Sequence, residues 1–137
     1  FINDSKATNF SSTAVALGNY KNIHWILGGL PKAKDKINIT RFKNHILKTY
    51  IIGKRVNLFL KKIKNTLKYS IDFSMKNALL SALNEAKKYP TLKQVILLSP
   101  AAASFDQYKN FEHRGEDFIN LVKRLSRVDN HHFNQCL

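Results

Sequence analysis

The sequence predicts an α/β domain with a mostly parallel sheet and helices on both faces. Short apolar runs end in small or turn residues, as in Ile23-His24-Trp25-Ile26-Leu27 before Gly28-Gly29 and Val95-Ile96-Leu97-Leu98 before Ser99-Pro100. These runs are continuous rather than alternating, which is the pattern of strands covered on both faces. Segments with helical spacing lie between them, and that alternation is the signature of parallel strands joined by crossover helices.

In chain order, Ser11 to Leu17 reads as a first helix behind a polar opening loop. Ile23 to Leu27 is a strand. Ile39, Phe42, Ile46 and Leu47 recur at helical spacing and predict a second helix. Tyr50-Ile51-Ile52 is a strand running into Gly53, and Val56, Phe59, Leu60 and Ile63 mark the helix that follows. Leu67 to Ile71 is a further strand. Ser74 to Lys88 carries Met75, Ala78, Leu79, Ala82, Leu83 and Ala86 on one helical face. Ser74 is placed to cap it, and Pro90 lies just past its end. After the strand at Val95 to Leu98, the residues Phe118, Leu121, Val122 and Leu125 mark the last helix. The domain is expected to span residues 1–126, with 127–137 a polar tail. The whole reads as a Rossmann-like arrangement.

The 137 residues make about one domain, and 44% hydrophobic content is that of a globular chain. The single cysteine, Cys136, excludes an internal disulfide and predicts a reducing, cytoplasmic setting. No apolar run reaches the roughly 18 residues of a membrane span, so no membrane association is expected. The chain opens at Phe1 and is expected to be part of a longer polypeptide. The formal charge of +14 points to an anionic partner. The excess is mostly lysine spread over many segments alongside asparagine and isoleucine, so codon composition and nucleotide-type anionic ligands account for it better than a nucleic-acid surface does. No helix-turn-helix, zinc-finger or RNA-binding signature is present. The run Lys61, Lys62, Lys64, Lys68 reads as a solvated helix face.

In a parallel sheet, ligands bind where strands hand over to loops at their C-terminal ends. Three unusual loops fall there. The first, Asn3-Asp4-Ser5-Lys6-Ala7-Thr8-Asn9, offers hydroxyls, an ammonium and helix N-terminal amides to an anion, or simply caps the helix behind it. The second, Gly28-Gly29-Leu30-Pro31-Lys32, permits close backbone approach and supplies a cation, or is an ordinary turn with a solvated lysine. The third, Ser99-Pro100-Ala101-Ala102-Ala103-Ser104, offers small residues and a hydroxyl, or packs as a strand–helix turn. Asp106 and the Glu112/Arg114 pair read equally well as helix-cap and surface charges. His24 is expected in the core. His131, His132 and Cys136 fit no standard zinc spacing, so no metal site is assigned. The pattern of a Walker A loop is absent.

Asn3 to Asn9, Gly28-Gly29 with Lys32, and the stretch from Leu98 to Gly115 with its run Ser104-Phe105-Asp106-Gln107-Tyr108-Lys109-Asn110-Phe111 match three motifs in order and spacing. Together they resemble the C-terminal domain of Mur ligases, in particular the members that add D-glutamate, over roughly residues 1 to 126. Sister Mur ligases and folylpolyglutamate-type ligases share the architecture but carry different opening motifs, and the Asp-Asn-Pro-Arg motif of the diaminopimelate-adding relatives is missing, so the D-glutamate-adding members are favoured over them. The resemblance implies an ATP-dependent ligase of peptidoglycan synthesis that joins D-glutamate to UDP-N-acetylmuramoyl-L-alanine through an acyl phosphate. It implies that Thr8, Lys32 and Ser104 hold the D-glutamate carboxylates, assisted by backbone at Phe105 and Phe111. It places Asp4 at the ATP ribose and Lys6 near the reacting phosphates, as the catalytic lysine. ATP, Mg2+ and the UDP-substrate are expected to bind mainly on other domains, so this chain alone is expected to be inactive. A basic nucleic-acid-binding module is the alternative from a different class.

Overall fold

The computed structural model describes residues 1–128; the remainder of the expected tail, with His131, His132 and Cys136, lies outside the described residues. Within them, five strands form one sheet: β1 (Ile2–Asn3), β2 (Ile23–Gly28), β3 (Ile46–Ile52), β4 (Tyr69–Phe73) and β5 (Val95–Leu98). The order is β1-β5-β2-β3-β4, and every neighbouring pair is parallel. The four α-helices among the described residues are α1 (Phe10–Asn19), α2 (Val56–Ile63), α3 (Met75–Ala86) and α4 (Phe111–Val128).

Alternate residues of each buried strand feed two separate cores. Trp25, Leu27, Ile51 and Leu97 pack with Phe10 and Leu17 of α1 and with Phe59 and Ile63 of α2. Ile26, Tyr50, Ile52, Ile96 and Leu98 pack on the other side with Met75, Ala78, Leu79 and Ala82 of α3 and with Phe118 and Val122 of α4. Burial on both faces is why β2 and β5 are apolar at consecutive positions. The Rossmann-like α/β arrangement expected from the sequence is the one found.

Two elements differ from expectation. The helix read at Ile39 to Leu47 is a short 3-10 turn over Ile39–Phe42, followed by β3 from Ile46. Ile39, Phe42 and Ile46 are all buried in one core cluster, so their spacing reports burial rather than a continuous helix. Ile46 instead pairs with Ile23 across the sheet. The last helix begins at Phe111, inside the third motif, and continues to Val128. Ser74 caps α3 as expected, accepting from the Asn77 N–H at 3.2 Å.

β4 is an edge strand, and its residues alternate accordingly. Asp72 is buried against α3, where its carboxylate accepts from Ser70 Oγ at 2.7 Å and Ser81 Oγ at 2.6 Å. Tyr69, Ile71 and Phe73 face outward and are exposed. No helix among the described residues is long and apolar enough to cross a membrane.

Candidate functional site

The loops after β1, β2 and β5 meet at the C-terminal rim of the sheet. Backbone hydrogen bonds lock them together. Ala101 N–H donates to Ala7 O at 3.0 Å, joining the first loop to the third. Leu30 and Ala103 exchange two bonds, Leu30 N–H to Ala103 O at 2.8 Å and Ala103 N–H to Leu30 O at 3.1 Å, joining the second to the third. Gly29 makes that bridge possible. Its φ of +130° lies where side chains are disfavoured, and a Cβ there would run into Ala103 O. The structure therefore brings the three sequence-distant loops to one rim.

Arg114 clamps the rim from below. It is buried at 1% exposure, reached from α4, and spends its donors on the first and third loops. Nε donates to Ser5 Oγ at 2.9 Å, Nη2 to Ser5 O at 2.6 Å and Nη1 to Ala102 O at 2.8 Å. Ser5 Oγ in turn donates to Phe111 O at 2.7 Å. Burial pushes the Arg114 pKa down to about 10, with the Asp106 carboxylate opposing that shift, so the guanidinium stays charged at neutral pH. The surface-charge reading of Arg114 is thus corrected. Asp106 is likewise engaged, accepting from the Lys54 N–H at 3.0 Å.

The start of α1 is already occupied by the protein itself. Asn9 caps it, accepting from Ser12 N–H at 2.8 Å, and Asp35 accepts from Phe10 N–H at 2.7 Å through Oδ2. Of the two readings of the opening loop, capping is what these amides show. Lys62 also belongs to this corner rather than to a solvated face: Nζ donates to Asp35 O at 2.9 Å and lies 5.2 Å from the centre of the Phe10 ring. The run from Lys61 to Lys68 is not one helix face either, because α2 ends at Ile63 and Lys68 directly precedes β4.

The remaining candidate residues differ in their surroundings. Ser104 is 2% exposed, and its Oγ has no hydrogen-bond partner among the described residues. A buried hydroxyl without a partner is costly. Lys6 and Lys32 are exposed, and Thr8 is half-buried. Asp4 is half-buried, with one carboxylate oxygen accepting from Ser99 Oγ at 2.8 Å. Phe105 is exposed, and Phe111 opens α4, where Asn110 Oδ1 already accepts from the His113 N–H at 2.8 Å. Together these residues present two cations and hydroxyls along one rim. That set suits an anion carrying carboxylates. No group of three or more His, Cys, Asp or Glu that could hold a metal occurs among the described residues.

His24 lies away from this rim, near the start of β2. It is fully buried, with Nδ1 2.9 Å from Tyr50 Oη and Nε2 2.6 Å from Gln94 Oε1. Sequence reasoning missed Asp35 as part of the rim, and it placed Ser5 in the first loop without its bonds to Arg114. Asp35 did carry a signal, being the only acidic residue between Asp4 and Asp72.

No protein-family model matches the chain. It is 41% identical over 128 residues to the UDP-N-acetylmuramoylalanine--D-glutamate ligase of Rhizobium johnstonii, covering 93% of this chain and 27% of that protein. It is 42% identical over 125 residues to the ligase of the same name from Agrobacterium fabrum, covering 91% and 27%. The same-named protein of Bartonella henselae is 41% identical over 128 residues, covering 93% and 28%. The chain thus spans about a quarter of the length of the curated relatives it matches. Over 93% of its length, therefore, the chain is a homologue of a domain-sized part of the UDP-N-acetylmuramoylalanine--D-glutamate ligases.

Proposed function

We propose that residues 1–126 are the C-terminal, D-glutamate-binding domain of an ATP-dependent ligase. The complete protein would join D-glutamate to UDP-N-acetylmuramoyl-L-alanine in the cytoplasm, in the synthesis of peptidoglycan, and so serve cell-wall growth, cell shape and division. The similarity over 93% of the chain to ligases named for this reaction carries the reading. The rim is consistent with it. The Ser104 hydroxyl is buried and unpartnered, and it lies one residue past Ala103, which is bonded to the loop that leads to Lys32.

D-glutamate brings two carboxylates. Lys32 and Thr8 would bind them from the second and first loops, and Ser104 from the third, with the N–H groups of Phe105 and Phe111 assisting. A charge-assisted bond from Lys32 fixes the carboxylate, while hydroxyls and amides set its orientation. Holding the amino acid this way presents its amine to the second substrate and removes much of the entropic cost of the encounter. Asp4, at the end of β1, would contact the ATP ribose, and Lys6 would lie toward the phosphates. ATP, with Mg2+, would supply the activation of the substrate carboxylate, held mainly by other domains.

The test is an ADP-release assay on the complete polypeptide carrying this chain, with ATP and UDP-N-acetylmuramoyl-L-alanine present. Release that depends on D-glutamate, and not on L-glutamate, glycine or diaminopimelate, is expected. Release driven equally by another amino acid would reassign the domain to a sister ligase. No release with any amino acid, together with salt-steep binding to DNA or RNA, would favour the basic nucleic-acid module.

A further inference from the structure

Asp35 is the only acidic residue in a stretch of more than sixty, and it makes three contacts that join three elements. Its Oδ2 accepts from the Phe10 N–H at 2.7 Å, at the first turn of α1 and two residues past Thr8. Its own N–H donates to Lys32 O at 3.1 Å, closing the turn that carries Lys32. Its carbonyl accepts from Lys62 Nζ at 2.9 Å, reaching across from α2. The carboxylate lies at the α1 N-terminus, where the partial positive charge of the helix is greatest.

We propose that Asp35 is a positioning residue for the D-glutamate subsite, acting by fastening the Lys32 turn to the start of α1; this rests on the functional reading above. Two consequences follow from the geometry. Lys32 is exposed and finds no partner of its own among the described residues, so its turn is oriented by the bond from Asp35 N–H to Lys32 O and by the anchorage of the Asp35 side chain. The same carboxylate also fixes Phe10, and through the chain Thr8, so one residue sets the separation of the Lys32 and Thr8 donors. A short helix-start bond made by a carboxylate holds this geometry better than a neutral acceptor would, because charge-assisted bonds are roughly twice as strong.

The experiment uses the complete ligase and compares Asp35→Ala, Asp35→Asn, Lys32→Ala, the double variant Lys32→Ala/Asp35→Ala, and Ser74→Ala. Ser74→Ala removes the cap of α3, away from the rim, and controls for destabilisation alone. Asp35→Ala is expected to raise the KM for D-glutamate about ten-fold, with the KM values for ATP and the UDP-substrate within about two-fold of the parent. Asp35→Asn keeps an acceptor oxygen of the same length and is expected to recover part of the loss, at about a three-fold increase. It also supplies the reading if the alanine variant does not fold. Because Asp35 acts through Lys32, the double variant is expected to be little worse than Lys32→Ala alone. Ser74→Ala is expected to lower Tm without moving the D-glutamate KM.

If Lys32→Ala raises the D-glutamate KM and both Asp35 variants leave it unchanged, the positioning role is overturned while the site stands. An effect of Asp35→Ala that simply multiplies that of Lys32→Ala, or that Ser74→Ala reproduces at equal loss of Tm, also overturns it. If Lys32→Ala itself has no effect on D-glutamate, the functional reading falls, and the role of Asp35 falls with it.

Discussion

Arg114 grips Ser5 at two points, through Nε to the side-chain oxygen at 2.9 Å and through Nη2 to the carbonyl at 2.6 Å, although the two lie 109 residues apart. The contact ties α4 to the loop after β1, and a third bond to Ala102 O brings in the loop after β5. Replacing Arg114 by methionine keeps much of the volume and leaves the Ser5 and Ala102 carbonyls buried without donors. Each such group costs about 1–3 kcal/mol. Arg114→Met should therefore lose on the order of 3 kcal/mol in chemical denaturation. Arg114→Lys offers a single nitrogen where three are used, and should fall short of the parent by more than about 1 kcal/mol. An Arg114→Met variant as stable as the parent would remove the clamp from the account of the rim.

The strands β2 and β5 were legible because burial on both faces leaves a continuous apolar run, and the turn residues Gly28 and Ser99 mark where each hands over to its loop. Ile39 and Phe42 misled because a 3-10 turn and the first residues of a strand can bury side chains at the same spacing as a helix. Only the pairing of Ile46 with Ile23 distinguishes the two, and pairing is a long-range fact. The site divides in the same way. Thr8, Lys32 and Ser104 carry recognisable chemistry inside recognisable motifs, but what holds their loops together does not. Leu30 and Ala103 contribute only backbone, and nothing about their side chains announces it. Arg114 looks like an ordinary helix-surface charge until α4 is packed against β1.

His24 makes the stability of the fold sensitive to mild acid. Gln94 Nε2 already donates to Ala86 O and Tyr89 O, so its Oε1 accepts and the imidazole Nε2 carries the proton. Nδ1 is then the acceptor for the Tyr50 hydroxyl. Burial lowers the His24 pKa below its ordinary 6.5. The folded state thus binds fewer protons than the unfolded one in this range, and its contribution is complete above about pH 6.5. It declines as the pH falls below that value and levels off beneath the folded pKa. The slope cannot exceed about 1.4 kcal/mol per pH unit for one proton. Thermal unfolding at pH 7.5 and 5.5 should show a smaller loss of stability for His24→Gln than for the parent. Equal losses in both would assign the acid sensitivity to other groups.

Lys32→Ala in the complete polypeptide tests the cation of the proposed D-glutamate subsite. A charge-assisted bond contributes about 1.5–3 kcal/mol, and each 1.4 kcal/mol is a factor of about ten. D-glutamate use should fall by about ten-fold to a hundred-fold, with ATP and UDP-substrate parameters nearly unchanged. Lys32→Arg should restore only part, because a planar fork replaces a point charge. Lys62, which in sequence resembles a neutral control, is bonded to Asp35 and stacked on Phe10, so Lys61 on the exposed side of α2 is the proper one. Equal effects of Lys32→Ala and Lys61→Ala on kcat/KM for D-glutamate would take Lys32 out of the site.

Ser104→Ala should move stability and activity in opposite directions. The Ser104 hydroxyl is buried at 2% exposure and has no partner among the described residues, so the free domain bears the cost of a desolvated polar group. Removing one oxygen atom relieves that cost, and the small space left is offset by the loss of the unpaired donor. The free domain should be unchanged or more stable by about 1 kcal/mol. On the proposed function, the same change removes the donor that Ser104 offers a D-glutamate carboxylate and should lower kcat/KM for D-glutamate in the complete polypeptide by about ten-fold. Ser99→Ala provides the contrast, because the Ser99 hydroxyl donates to Asp4 and lies 2.9 Å from Thr13 Oγ1, and its loss should destabilise. Such opposite signs at Ser104 are the mark of a group kept for a ligand rather than for the fold. A Ser104→Ala variant that loses stability and keeps full D-glutamate use would show instead that the hydroxyl serves the packing of the third loop.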